Sequence, residues 1–215
     1  LESGGQLETI DAEISQRARE RGLRALGTLG SGNHFLELQT VGKTVDATTA
    51  EKWGLYDGQI VAMIHSGSRG LGHQVCSDHV RSLERRYKQQ GNIWVDEEWG
   101  YELADRQLAS APFHSPQGQA YFDGMNAAAN FAFANRSALA HRLREVLRLE
   151  MGEDGEAKTL YDVAHNIAKV EVHRIDGKGC TCCVHRKGAT RAFSGDSPEM
   201  KHSNHLSGQP VLIPG

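Results

Sequence analysis

Residues 120–149 carry a long helical pattern, with Phe122, Met125, Ala129 and Phe133 at helical spacing. That one helix constrains the fold more than any other feature of the chain. Its stripe reads as core packing rather than a cofactor contact. Around it lie short extended segments and two further helical ones. Residues 34–41 (HFLELQTV) alternate apolar and polar positions as a strand does. Residues 59–65 (QIVAMIH) form a short apolar run, the pattern of a buried strand, and a Ser/Gly loop leads from it into a helix over 73–90. Residues 159–164 (TLYDVA) read as a further strand. Segments 170–175 and 180–185 are set to pair as a hairpin across Asp176-Gly177-Lys178-Gly179. A polar amphipathic helix over 9–22 is expected to stop at Gly22, Pro112 and Pro116 punctuate a loop, and an apolar strand over 210–213 closes the tail. Strands and helices mix without a βαβ rhythm. The expected class is therefore α+β, mixed sheets with packed helices, not a doubly wound sheet. With 215 residues, 39% of them hydrophobic, and no internal repeat, the chain is read as one domain over 1–215, or a large part of a bigger one.

Composition removes several classes. No apolar run approaches the length of a membrane span. The start, Leu1-Glu2-Ser3-Gly4-Gly5, has neither the basic segment nor the apolar run of a signal peptide, and it lacks an initiator Met. Cysteines stand at 76, 180, 182 and 183. Neighbours this close rarely pair, so a reducing, cytoplasmic setting is expected. Cys180-Thr181-Cys182-Cys183 is too tight for a structural zinc clip and reads as free thiols in a hairpin. A net charge of -3 argues against a broad basic surface, while leaving room for positive charge confined to a cleft. Eleven histidines are many for this length, and histidine is the commonest metal ligand.

Four clusters carry the chemistry. The first, residues 27–37 (GTLGSGNHFLE), sets three glycines in six residues before Asn33, His34 and Glu37. Glycines let the backbone approach a ligand closely. Taken alone, the pattern also describes a glycine turn with a buried histidine. If a strand starts at His34, then His34 and Leu36 share one face and Glu37 lies on the other. In the second cluster, residues 65–72 (HSGSRGLG), His65 ends an apolar run and Arg69 sits in a Gly/Ser loop that opens a helix. Backbone N–H groups at a helix start favour anions, and an arginine adds a bidentate phosphate donor. The third, residues 161–169 (YDVAHNIAK), again places a histidine, His165, at the end of an apolar strand and before an amide, Asn166. Three strand-end histidines, two beside an asparagine, are hard to explain as three independent core residues. Imidazoles alone suit Zn, Mn, Fe, Co or Ni. The fourth, residues 184–193 (VHRKGATRAF), holds Arg186, Lys187 and Arg191 and is either a solvated charge run or a phosphate-facing loop. The remaining histidines take bland readings: His73, His79 and His141 on helices, His114 in a loop, and His173, His202 and His205 exposed.

In this order the clusters resemble RtcB, the tRNA-splicing RNA ligase family. The matching segments also include 127–136 (AAANFAFANR) and 208–215 (GQPVLIPG), so the likeness runs from residue 27 to the end. The resemblance implies an RtcB-like fold and an enzyme that uses GTP and Mn²⁺. Such an enzyme joins an RNA 3′-phosphate or 2′,3′-cyclic phosphate to a 5′-hydroxyl, as on tRNA halves, through a guanylylated histidine and a 3′-guanylylated RNA. By the same resemblance His34, His65 and His165 would be manganese ligands. Asn33, Glu37 and Asn166 would contact the guanosine nucleotide, and Arg69, Arg186 and Lys187 would hold RNA phosphates. An activating protein partner is compatible with it, and a membrane is not expected.

Two family features have no counterpart in these residues. The Asp/Cys metal ligands fall upstream of anything present, and the His-Gly-Ala-Gly-Arg nucleophile motif does not occur. The catalytic histidine therefore stays unassigned, the chain is expected to be an internal portion incomplete at both ends, and alone it is expected to be inactive. Two alternatives stand beside the ligase. One is a metal-dependent phosphohydrolase using the same three histidines, and the other a non-catalytic nucleotide- or RNA-binding fragment.

Overall fold

The computed structural model describes residues 1–200, 208, 209 and 211. His202, His205 and, apart from Val211, the tail strand expected over 210–213 lie outside these residues. The class is α+β, as expected. The chain divides into two compact units, residues 5–160 and residues 1–4 with 161–215.

In the larger unit, α1 (Gln16–Leu23) packs on α3 (Arg69–Glu84), which packs on α4 (Pro116–Met151). Ser15 caps α1 by accepting from the Ala18 N–H, so the helix starts well after residue 9. Gly22 does not stop it. A Cβ there would meet Leu71 Cδ1 at 2.8 Å and Phe131 Cε2 at 3.4 Å, so this glycine lets α1 lie close to its neighbours. A strand, β1 (Phe35–Thr40), precedes the short α2 (Ala47–Lys52) and pairs antiparallel with β2 (Ile60–His65). Among the described residues this ribbon has no third strand, and the run expected to be buried is only partly covered, with Ile60 64% exposed.

The third helix also departs from expectation. It begins at Arg69, within the Ser/Gly segment, and ends at Glu84. The chain then turns at buried Tyr87, whose hydroxyl donates to the Ser110 carbonyl at 2.8 Å, into a meander of β3 (Lys88–Gln90), β4 (Ile93–Asp96) and β5 (Tyr101–Leu103). Arg86 anchors that meander by donating to Asp96 at 2.8 Å and stacking 3.8 Å from the Trp99 ring. The long helix follows a Ser115 cap with Pro116 in its first turn, where a missing N–H does no harm. Val75 and Leu83 on α3 and Ala128, Phe133 and Leu139 on α4 are buried. Among the described residues no helix is long and apolar enough to cross a membrane.

The smaller unit is built on the hairpin β6 (Asn166–Ile175) and β7 (Lys178–Lys187). Asp176 and Gly177 form its two-residue turn with φ of 50° and 77°, the positive values a type I′ turn requires. The strand expected over 159–164 is absent. Residues 161–164 are instead held by Glu2, whose N–H donates to Asp162 O at 2.9 Å and whose Oε2 accepts from Ala164 N at 2.7 Å. A neighbouring strand is not needed where one residue satisfies both backbone groups. His165 therefore precedes a strand rather than ending one.

Candidate functional site

In the larger unit the site grows from the open end of the β1–β2 ribbon. The register sets Phe35 opposite His65, and their rings meet edge to face with centroids 5.3 Å apart. The strand starts at Phe35, so His34 is not bound by its alternation. The two imidazoles lie with centroids 5.8 Å apart. Glu37 pairs with Met63 and so shares the face of Phe35 and His65. It is exposed and accepts from Gln39 Nε2 at 3.0 Å, while Asn33 is exposed in the turn before His34.

Arg69 joins the pair. Its Nη1 lies 3.2 Å from His34 Nδ1, and its Nε donates to Thr28 Oγ1 at 3.3 Å. To do so it takes a φ of 50°, a region that non-glycine residues seldom occupy and that recurs at functional sites. Gly30, with φ 117°, makes the arrangement possible. A Cβ on it would collide with the Arg69 guanidinium and the His34 ring. Burial pushes the His34 pKa below its ordinary value, and the charge of Arg69 and the nearness of His65 act the same way against a hydrogen bond to the Leu29 backbone. A neutral imidazole is the form that binds metals. The first turn of α3 receives no side-chain cap from Ser68, so its N–H groups are available to an anion beside Arg69.

Two residues that the sequence reading passed over hold this end together. Asn135 on α4 is 0% exposed and binds both loops at once. Arg136, next to it, donates to the Ser66 carbonyl at 3.3 Å. An amide inside the Ala/Phe-rich stretch 127–136 was the available signal, because a polar group on a core-facing stripe needs buried partners.

The other candidates lie in the smaller unit. The His165 carbonyl accepts from Ala189 N at 3.2 Å, and Asn166 Oδ1 accepts from Gly188 N at 2.8 Å. The His165–Asn166 corner is thus tied to the loop after β7, with exposed Lys187 as the cross-strand partner of Asn166. Arg186 is engaged differently: it grips Glu171 with two nitrogens at 2.6 and 2.8 Å. Burial pushes the Glu171 carboxyl up, but the hydrogen bonds from Arg186 and His173 outweigh it and hold it below its usual range. His173, expected to be exposed, is half-buried with Nε2 2.9 Å from Glu171 Oε2. Beside this group Glu2 Oε1 lies 2.9 Å from Lys169 Nζ and 2.7 Å from Arg191 Nε, ion pairs by distance. Two of the three cations of the fourth cluster thus answer buried carboxylates. The cysteines are all free, as expected.

Metal binding can be judged from the donors. Two neighbouring imidazoles, one held neutral, suit a borderline divalent ion, and they amount to half a coordination shell. Among the described residues no group of three or more His, Cys, Asp or Glu side chains is gathered closely enough to complete one.

An α+β framework carrying adjacent imidazoles, an arginine in a strained turn and an uncapped helix start defines a candidate metal- and phosphate-binding protein. The family model described as tRNA-splicing ligase RtcB matches residues 1–215, and the chain belongs to the RtcB family. It is 49% identical to the tRNA-splicing ligase RtcB of Thermococcus kodakarensis over 100% of this chain and 44% of that protein. It is 51% identical to that of Archaeoglobus fulgidus, over 100% of the chain and 43% of the relative. To the RNA-splicing ligase RtcB of Mycobacterium bovis it is 48% identical, over 100% and 47%. The chain thus spans less than half the length of each of these relatives.

Proposed function

We propose that this chain contributes part of the active centre of a GTP- and Mn²⁺-dependent RNA ligase acting in tRNA splicing or RNA repair. In this reading the whole protein joins RNA 3′-phosphate or 2′,3′-cyclic phosphate ends to 5′-hydroxyl ends. The observation that carries the reading is the 5.8 Å approach of the His34 and His65 rings with Arg69 against His34. Family membership and the names of the relatives support it.

Each residue then has a task. His34 and His65, with His165 as the third imidazole, hold the divalent ion. When bound, that ion neutralises charge on phosphate oxygens. Arg69 and the α3 N-terminus receive the phosphate of the RNA end, since both offer N–H groups to an anion. Asn33, Glu37 and Asn166 orient the guanosine nucleotide. Lys187 faces RNA phosphate, and Arg186 contributes the donors that Glu171 leaves unused. The guanylylated histidine, the activating partner and the cytoplasmic setting belong to the same proposal.

The test uses the full-length protein, RNA with 3′-phosphate and 5′-hydroxyl ends, GTP and Mn²⁺. Joined product is expected from the native protein and none from His34→Ala or His65→Ala. Arg69→Ala should weaken RNA binding more than GTP binding. Release of inorganic phosphate without joining would replace the ligase with a phosphohydrolase. Binding of RNA or GTP with neither product would leave a non-catalytic module. The 215-residue chain alone should take up no label from α-labelled GTP. Stable labelling would point to a histidine within it, His185 first, as the nucleophile.

A further inference from the structure

Two glycine-rich loops carry His34, His65 and Arg69, and glycine-rich backbone is costly to order. The groups that hold it still must come from elsewhere. Asn135 lies on α4, 107 residues from Thr28 and 69 from Ser66, and has no exposed surface. Its Oδ1 accepts from Gly27 N at 2.7 Å and Thr28 N at 3.2 Å. Its Nδ2 shares two protons among three acceptors, Thr28 O at 3.1 Å, Ser66 Oγ at 3.1 Å and Gly67 O at 3.2 Å.

We infer that Asn135 is the positioning residue that fixes the two glycine loops to each other, and through them the His34–His65–Arg69 geometry. The chain of contacts is short on both sides. Ser66 and Gly67 directly follow His65, and Ser66 Oγ donates onward to Leu29 O at 2.7 Å, inside the other loop. Thr28, gripped by its N–H and its carbonyl, presents the Oγ1 that receives Arg69 Nε. Movement at Asn135 therefore reaches His65 through one peptide and Arg69 through one side chain. Only a planar group with an acceptor and donors can hold this set. A carboxylate would face the Thr28 and Gly67 carbonyls without protons, and an apolar isostere would remove all five contacts.

The same helix supplies an internal control. Asn130 grips Leu7 in the same two-handed way, accepting from its N–H at 2.7 Å and donating to its carbonyl at 2.9 Å, with no histidine loop in its grasp.

The inference rests on the reading of His34 and His65 as one metal half-site, and one of its readouts needs no metal. In the intact chain, Asn135→Leu, Asn130→Leu and Ser66→Ala are compared by thermal unfolding, by the nuclear Overhauser effect between the His34 and His65 ring protons, and by Co²⁺ titration followed in visible absorbance. Asn135→Leu and Asn130→Leu should both lower the unfolding temperature. Only Asn135→Leu should lose the ring-to-ring effect and weaken Co²⁺ binding by about tenfold or more, the scale on which outer residues tune metal sites. Ser66→Ala, which removes one partner, should weaken both signals in part. Should Asn135→Leu fail to fold, Ser66→Ala alone decides. An unchanged ring-to-ring effect in these variants, or an equal loss in Asn130→Leu, overturns the inference. A native chain that binds no Co²⁺ through His34 and His65 defeats the metal reading, while the ring-to-ring effect still decides the role of Asn135.

Discussion

The ribbon β1–β2 and the hairpin β6–β7 each set a histidine at the open end of an antiparallel pair, yet they are held by opposite chemistry. Around His34 and His65 the fastening grips backbone: the buried amide of Asn135 holds both loops, with Arg136 on the Ser66 carbonyl and Arg142 on the Gly27 carbonyl. Behind the His165 corner it is charged: Glu171 with Arg186, and Glu2 with Lys169 and Arg191. A buried charge pair tolerates loss of one partner badly, because the survivor is left desolvated. The two regions should therefore break under different stresses.

The largest effect is expected in the hairpin. Glu171→Ala should destabilise the chain by about 3–5 kcal/mol in urea unfolding, since it strands the buried Arg186 guanidinium. The pair Glu171→Leu with Arg186→Met should recover most of that loss. A single variant no less stable than the double would mean that Glu171 and Arg186 do not act as a buried pair.

Acid tests the same contrast more gently. The folded Glu171 carboxyl lies below its usual range, so its contribution is complete above the unfolded carboxylate value of about 4.3 and fades as the pH drops through the lower folded value. Hydrogen exchange should open the β6–β7 amides first as the pH falls below about 4. The backbone N–H groups of Gly27 and Thr28, held by a neutral amide, should keep their protection longer. Simultaneous opening would remove the distinction between the regions.

Next in size is Gly30→Ala. Its φ of 117° and the lack of room beside Arg69 and His34 predict a loss of about 2 kcal/mol together with a changed His34 ring environment in NMR spectra. A stability loss that leaves the His34 signals in place would show that the loop, and not the ring, gives way.

The smallest expected effect has the opposite sign. Arg69→Gly relieves a residue held at φ 50° and should leave stability unchanged or raise it by about 0.5–1 kcal/mol, while weakening binding of an RNA 3′-phosphate oligonucleotide. Stability and binding falling together would make Arg69 a structural residue.

Much of this was legible in the chain. Alternating residues 34–41, the apolar run before His65 and the Phe122–Phe133 stripe mark elements through local periodicity, and Asp176-Gly177 marks a turn that only positive φ values allow. What failed were readings that depended on a distant partner. Gly22 looked like a helix stop because nothing local reveals Leu71 and Phe131 beside it. Residues 159–164 looked like a strand because their apolar pattern does not announce Glu2 as the group that satisfies them. His173 looked exposed because nothing local announces Phe193, whose ring centroid lies 6.0 Å from its own.

The sequence by itself determined the long helix, the strands of the ribbon and of the hairpin with its turn, the four clusters and the resemblance to the RtcB family. All of these follow from local dihedral preference, from hydrophobic period or from motif order. Only the tertiary structure decided that His34 meets His65, that Arg69 turns back onto His34, that Glu37 shares the face of His65, and that Asn135 binds loops 107 and 69 residues away. The physical reason is that strand register and a buried amide's partners are long-range properties. They are settled by which polar groups must find one another once the core has closed, and no local window of sequence contains both members of such a pair.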